Sequence, residues 1–377
     1  MKIAINTRFL IPNKMEGFGR ITYEVTKRLV QNNPNDTFYL FFDRAHKGKF
    51  NFGKNAVPVV LPPPARHPVL WYIWFEWSVY RALKKIRPDV FFSPDGYACL
   101  RSPVKTLLMV HDISFIHFPR FIPFLKRKYY EFYTPRFLKK ADRLITLTNH
   151  ALKDISGFYQ IPEGKFDLTT VAAHGSFEPV DADLKKQIQK KYSAGEEYFL
   201  YVGAIHPRKN IARLIQAFNM FKKRTGSRFK LLIVGRFMFD NKDVLSAYEA
   251  AAFKNDIQFI GYMGKDLYAV MGSAFALTYV SNYEGFGMPL VEAMNCHVPS
   301  ITSNVSSMPE VAASTGILVD PSNTEAIAEA MHTLVSDEKL YQELRQQCVI
   351  RKRDFSWEQT AYDVYQSMLK LCTRDGN

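Results

Sequence analysis

The sequence predicts an α/β protein built of two doubly wound parallel sheets, and three observations carry that prediction. The chain has 377 residues, more than one hydrophobic core usually supports, so two domains of roughly 150–200 residues each are expected. Strand-like apolar runs alternate with helix-like periodic segments from end to end, the pattern of parallel strands joined by crossover helices. The alternation restarts after the turn-rich stretch His174-Gly175-Ser176-Phe177-Glu178-Pro179 and the charged segment 181–191, which sets a domain boundary there.

In the first half, strands are expected at 2–7, 37–42, 57–61, 89–93, 104–110, 143–147 and 168–171, with helices at 20–31, 69–86, 124–139 and 149–159. A second sheet would use 198–202, 230–234, 257–260, 275–278, 300–302 and 316–319, with helices between them and two more after Asn323. The last of these, near 357–371, puts Trp357, Ala361, Val364, Tyr365, Met368 and Leu371 on one face, so it must dock on something. The first domain is therefore read as 1–178 plus 357–377 and the second as 179–356. Two such sheets face an interdomain cleft at the carboxyl ends of their strands, where ligands of doubly wound folds usually sit.

Composition narrows the class further. With 47% hydrophobic and 23% charged residues the chain fills cores and is not mainly disordered. Cys99, Cys296, Cys348 and Cys372 are far apart and form no CxxC pair, which argues against a disulfide scaffold or a thiolate zinc site and for a reducing cytoplasm. The first residues lack signal-peptide architecture, and no window reaches about 18 apolar residues, so neither secretion nor a spanning segment is expected. The net charge of +14 is uneven: residues 1–180 hold 27 Lys+Arg against 14 Asp+Glu, and residues 181–377 hold 23 against 22. A basic first half suits a polyanion, either nucleic acid or an anionic membrane leaflet, though a basic soluble surface needs neither.

The strongest motif is Glu284-Gly285-Phe286-Gly287-Met288-Pro289-Leu290-Val291-Glu292, just after a strand. Pro289 suits the first helical position, the glycines let backbone approach a ligand, and the positive end of the new helix favours electron-rich oxygens. Glu284 in the loop and Glu292 in the first helical turn would accept hydrogen bonds from hydroxyls, which sugars supply in number; a plain helix-capping loop is the other reading. Arg208 and Lys209, in Pro207-Arg208-Lys209-Asn210 after the first strand of the second sheet, offer a planar fork and a compact charge for a diphosphate, or a solvated surface pair. In the first half, Glu16-Gly17-Phe18-Gly19-Arg20 opens a helix but has Thr22 where a dinucleotide fingerprint has its third glycine. His111 ends an apolar strand beside Asp112 and can donate to a sugar oxygen or serve a structural hydrogen bond. Asp181-Ala182-Asp183 follows a linker rather than a strand and is not read as a metal site. Residues 119–140 interleave seven aromatic with seven basic side chains, suited to an anionic membrane interface that Trp71, Trp74 and Trp77 would extend, to single-stranded nucleic acid, or to a core face with a basic back.

Taken in order, Gly17-Phe18-Gly19-Arg20, His111-Asp112, His174-Gly175, Pro207-Arg208-Lys209-Asn210, the Glu284 to Glu292 motif and Ser307-Met308-Pro309-Glu310-Val311 resemble the retaining glycosyltransferases of family 4, over nearly the whole chain. The resemblance implies the GT-B fold and carries roles onto residues. Arg208 and Lys209 would bind the donor diphosphate and stabilise the departing nucleoside diphosphate, making a metal or other cofactor unnecessary. Glu292 would accept from the ribose. Glu284 and the backbone of Phe286, Gly287 and Met288 would orient the sugar, His111 would contact it, Gly17 or Gly19 would approach the phosphates, and Tyr262 and Met263 would lie near the base. The final helix would cross back to the first domain.

The function so implied is transfer of a hexose, mannose favoured, from GDP-mannose or a UDP-hexose to a lipid-linked or cell-surface polysaccharide, with retained configuration. The partners expected are the nucleotide sugar, the glycan or lipid-linked acceptor and an anionic membrane surface on the inner face, with no nucleic acid. A nucleic-acid-binding protein using the basic half, or a GT-B phosphorylase or epimerase, are the alternatives.

Overall fold

The computed structural model describes residues 1–12, 17–45, 48, 50–238, 241–264 and 266–372. The chain divides into two units, Met1–Val171 with Ser356–Asn377, and Ala172–Phe355. The sequence reading put the change of unit at 178/179. It falls earlier because the turn-rich stretch packs on the second unit: the rings of His174 and Phe177 both lie on Tyr268, and Val180 seats against the bare Cα of Gly272.

In the first unit, β1 (Lys2–Asn6), β2 (Thr37–Phe42), β3 (Ala56–Val60), β4 (Val90–Ser93), β5 (Lys105–Met109), β6 (Arg143–Thr146) and β7 (Phe166–Leu168) form one sheet. Its order is β3-β2-β1-β4-β5-β6-β7, with every pairing parallel. All four residues of β4 and of β6 are buried, as expected for strands covered on both faces, so they read as continuous rather than alternating apolar runs. Expectation and structure part at β7, which was placed at 168–171. The edge strand begins at Phe166 because Asp167 is not a loop residue: its carboxylate takes both Nε and Nη2 of Arg143 at 2.7 Å. Helix Trp357–Cys372 belongs to this unit. It buries Trp357, Ala361, Val364, Met368 and Leu371, packs on helix Phe18–Asn32, and its Tyr365 hydroxyl donates to Asp36 at 2.7 Å.

The helix expected at 69–86 is one continuous rod with a π-helical turn, Trp74–Val79, between Pro68–Ile73 and Tyr80–Ile86. Of its three tryptophans only Trp77 lies on the surface. Trp71 and Trp74 are buried, correcting the expectation that all three extend a basic aromatic surface. Their indole N–H groups donate to Ala65 O and Leu61 O, which satisfies the one polar atom each carries inward.

In the second unit, β8 (Tyr198–Val202), β9 (Lys230–Val234), β10 (Ile257–Gly261), β11 (Ala276–Tyr279), β12 (Ser300–Ser303) and β13 (Gly316–Val319) make a sheet of order β10-β9-β8-β11-β12-β13. The strand order reverses between β8 and β11, so these strands, far apart in sequence, are neighbours and the loops that leave their carboxyl ends lie side by side. Three helices follow Asn323 where two were expected. Asp337 ends helix Thr324–Ser336 and caps the next, Glu338–Arg351, by accepting from Leu340 N at 2.9 Å.

Candidate active site

The reversal between β8 and β11 brings the two loops singled out in the sequence together. Beyond β8, Pro207–Lys209 forms a single 3-10 turn started by His206, whose Nδ1 accepts from Arg208 N at 3.1 Å. Asn210 ties this turn to the exit of β11 and to the loop after β13: its amide donates to Val280 O at 3.1 Å and Pro321 O at 2.7 Å. Asn282 N donates to Arg208 O at 2.8 Å. The loops are thus joined by one backbone hydrogen bond and by the Asn210 amide, apart from their charged side chains.

Those side chains form a buried cluster. Arg208 Nη1 donates to Glu284 Oε2 at 2.7 Å and to Tyr283 O at 2.8 Å. Lys209 Nζ donates to Glu284 Oε1 and, at 2.5 Å, to the Tyr279 hydroxyl, which itself donates to Glu284 Oε1 at 2.9 Å. Burial alone would raise the Glu284 carboxyl; Lys209 and Arg208 overcome it and hold the group down at about 2. His206 is displaced in the opposite chemical sense. Burial first, then the neighbouring Arg208 and Lys209, lower its imidazole to about 4, so it is neutral near pH 7. Among the described residues one carboxylate faces two cations here, and Arg208 retains 21% side-chain exposure where Glu284 has 8%. Such a cluster suits an anion.

The Gly285-Phe286-Gly287 turn is held by two serines that sequence reasoning did not single out as ligands. Ser306 Oγ accepts from Glu284 N, and Ser307 Oγ donates to Glu284 O and Phe286 O. Gly287 sits at φ +101°, a left-handed conformation, and a Cβ there would approach Leu290 Cδ1 to 3.3 Å; glycine alone fits without strain. Helix Met288–Asn295 starts one residue before expectation, so Pro289 is its second residue and half-buried Glu292 lies past the first turn. Phe286 is buried edge-on to Phe355. Tyr262 is exposed with Arg236 over its ring at 4.0 Å, whereas Met263 is buried. Asp181 does a helix cap's work, accepting from Leu184 N at 2.8 Å.

In the first unit, Gly17 caps helix Phe18–Asn32 at φ +49°, with Gly19 buried in the first turn; Glu16 lies outside the described residues. Phe18 reaches His111, ring centroids 4.7 Å apart, so the glycine turn and the histidine are neighbours. His111 Nε2 bonds Pro94 O at 2.8 Å, and burial lowers its imidazole below the usual range. Beside them is a pair the sequence reading missed: Arg8 Nε donates to Asp95 Oδ2 at 2.6 Å, both side chains almost fully buried.

The two halves match two family descriptions in sequence order. "Glycosyltransferase Family 4" matches residues 15–169 and "Glycosyl transferases group 1" matches residues 183–353. The chain belongs to the family 4 glycosyltransferases. Like them it is a glycosyltransferase with two Rossmann-like parallel-sheet domains, the GT-B architecture. It is 28% identical over 279 residues to the O-antigen chain mannosyltransferase B of Escherichia coli, covering 74% of this chain and 73% of that one. Against the longer serotype-specific mannosyltransferase WbdA of Escherichia coli it is 25% identical over 313 residues, 77% of this chain and 38% of that protein. Among solved structures, sucrose-phosphate synthase from Thermosynechococcus elongatus superposes with a TM-score of 0.77 at 19% identity over 98% of both chains. Anabaena HepE in complex with UDP and glucose gives 0.76 at 12% identity, covering 98% of this chain and 100% of that one. No helix among the described residues is long and apolar enough to cross a membrane.

Proposed function

We propose that this family 4 glycosyltransferase transfers a hexose, mannose favoured, from GDP-mannose or a UDP-hexose to a lipid-linked or cell-surface polysaccharide, retaining the anomeric configuration. The observation that carries the reading is the cluster of Arg208 and Lys209 on Glu284, with Arg208 partly exposed, at the strand-order reversal of the second unit. The mannosyltransferase names of the relatives support the sugar, and the UDP complexes of a fold neighbour support a nucleotide donor.

In this reading the Arg208 fork and the Lys209 ammonium hold the donor diphosphate, already oriented by Glu284, Tyr279 and the Tyr283 carbonyl. As the bond from the anomeric carbon to the diphosphate oxygen breaks, its electron pair goes to the diphosphate, and the two cations stabilise the growing charge without a metal. The acceptor hydroxyl oxygen bonds the anomeric carbon and passes its proton to the departing diphosphate oxygen. Glu284 and the backbone of Phe286, Gly287 and Met288 orient the sugar, Glu292 accepts from the ribose, and Tyr262 and Met263 border the base. His111 contacts the sugar and Gly17 or Gly19 the phosphates. The basic first unit meets an anionic membrane surface that carries the acceptor.

The test is a panel of UDP- and GDP-sugars in a thermal-shift assay, since a ligand of the folded state raises Tm by mass action, followed by nucleoside diphosphate release with and without acceptor. One donor is expected to raise Tm and to be consumed only with acceptor present. Release at the wild-type rate by the double variant Arg208→Ala/Lys209→Ala would overturn the assignment.

A further inference from the structure

Helix Phe124–Lys140 and the rod 68–86 lie side by side in the first unit and leave an apolar groove of about 580 Å³ between them. Val69, Tyr72, Leu125, Phe132 and Tyr133 line it, with Lys128 among them. Its floor is fixed: Tyr129 is buried and stacks on Tyr133 at 4.4 Å, and Tyr72 lies 6.0 Å from Tyr133. Its walls are not covered. Val69 and Leu125 are 60% exposed and Phe132 about half, and outside the groove the same two helices expose Phe124 and Trp77. A contiguous apolar patch of this kind marks a contact surface.

Charge selects the occupant. The two helices carry nine Lys and Arg against Glu76 and Glu131, and Glu76 is buried, accepting from Leu100 N and Arg101 N. A second copy of this face would bring like charges together, whereas an anionic headgroup is attracted. The cations also stand at the level of the rings. Arg136 lies 3.5 Å above Phe132, Arg81 lies 5.4 Å from Trp77 and Arg127 lies 5.7 Å from Phe124. Apolar bodies with cationic heads beside them match the boundary between acyl chains and phosphate headgroups.

We propose that the groove receives the hydrocarbon chain of an anionic lipid and so docks the first unit on the anionic leaflet. This deepens, and rests on, the reading above that the acceptor is carried on such a surface. The full-length chain is mixed with vesicles of phosphatidylcholine alone or with an equal part of phosphatidylglycerol, some bearing bromine on the acyl chain. Binding is expected to favour the phosphatidylglycerol vesicles about tenfold or more, to weaken in salt, and to place tryptophan fluorescence within reach of bromine quenching. Leu125→Ser/Phe132→Ser, two exposed positions, should keep Tm and lower partitioning about tenfold or more, with the quenching lost.

Equal partitioning by that variant, equal binding to neutral vesicles, or binding without quenching would each overturn the proposal. The nucleotide-sugar thermal shift on the same samples separates the two readings. A donor shift without vesicle binding sinks the groove alone. Quenched vesicle binding with no donor shift sinks the transferase reading and leaves the groove standing.

Discussion

Both sheets carry an arginine paired with a carboxylate at the carboxyl ends of their strands, and the surroundings of the two pairs differ. In the first unit Arg8 and Asp95 have side chains 3% and 1% exposed. The guanidinium lies against the rings of Tyr97, Phe9, Phe75 and Trp71, at 4.1 to 5.9 Å, and Asp95 also accepts from Asn6 and Ser93. One cation meets one anion there under an aromatic lid. In the second unit two cations meet one carboxylate, and Arg208 stays partly open. The lesson is that identical chemistry serves two ends: sealed, the pair holds the loops after β1 and β4; with a second cation on the same carboxylate and an open edge, it suits an anion.

The most severe way to test that contrast is to remove the open cation. Arg208→Ala, which leaves Lys209 on Glu284, should lower kcat/KM by about 10³-fold through lost stabilisation of the departing charge, with Tm close to wild type; steady-state nucleotide release and a melting curve read both. Arg8→Met should behave in the reverse manner. It strands Asp95 without its buried partner, so urea unfolding should show a loss of about 3–5 kcal/mol, while donor affinity per folded molecule stays within about twofold. Were Arg8→Met to abolish donor binding in folded protein, the division into a structural and a ligand-ready pair would collapse.

Acidification sharpens the contrast further. The Glu284 carboxyl is held at about 2, below its ordinary 4.5. Its stabilisation is therefore complete above about 4.5 and is lost as pH falls toward 2. His206 acts in a separate window. Its imidazole is lowered from 6.5 to about 4, so below 6.5 the unfolded chain binds the proton that the fold refuses, and stability falls between 6.5 and 4. Urea midpoints across pH should show both windows, the upper one flattened in His206→Asn and the lower one in Glu284→Gln.

Much of this arrangement was legible in the sequence, for identifiable reasons. β8, β9 and β13 fall where their apolar runs fall, and Arg208, Lys209 and Glu284 were singled out because each follows a strand. Their meeting depends on β8 and β11 being neighbours, which is a property of strand order rather than of local pattern. Tyr279 was missed because the last residue of a buried strand reads as core, and its hydroxyl gains a role only once Lys209 arrives from another loop. Arg8 was missed because a lone arginine after a strand carries no spacing signal; its partner is 87 residues away. Asp167 misled the placement of β7, since a charge in an edge strand looks like a loop until Arg143 is beside it.

The smallest expected effect sets the floor for these comparisons. Arg28 Nε reaches Glu358 at 2.7 Å, joining helix Phe18–Asn32 to helix Trp357–Cys372, but Glu358 is 64% exposed and Arg28 also holds Glu24 at 2.6 Å. Solvent screens such a pair and Glu24 keeps the guanidinium occupied, so Glu358→Gln should cost no more than about 0.5 kcal/mol, less in high salt. A double-mutant cycle of Arg28 and Glu358 by urea unfolding measures the coupling directly. The helix should hold because Trp357, Ala361, Val364, Met368 and Leu371 remain buried beneath it. A coupling as large as the loss from Arg8→Met would mean that exposure does not rank these pairs, and the difference drawn between the sealed pair and the open one would lose its physical basis.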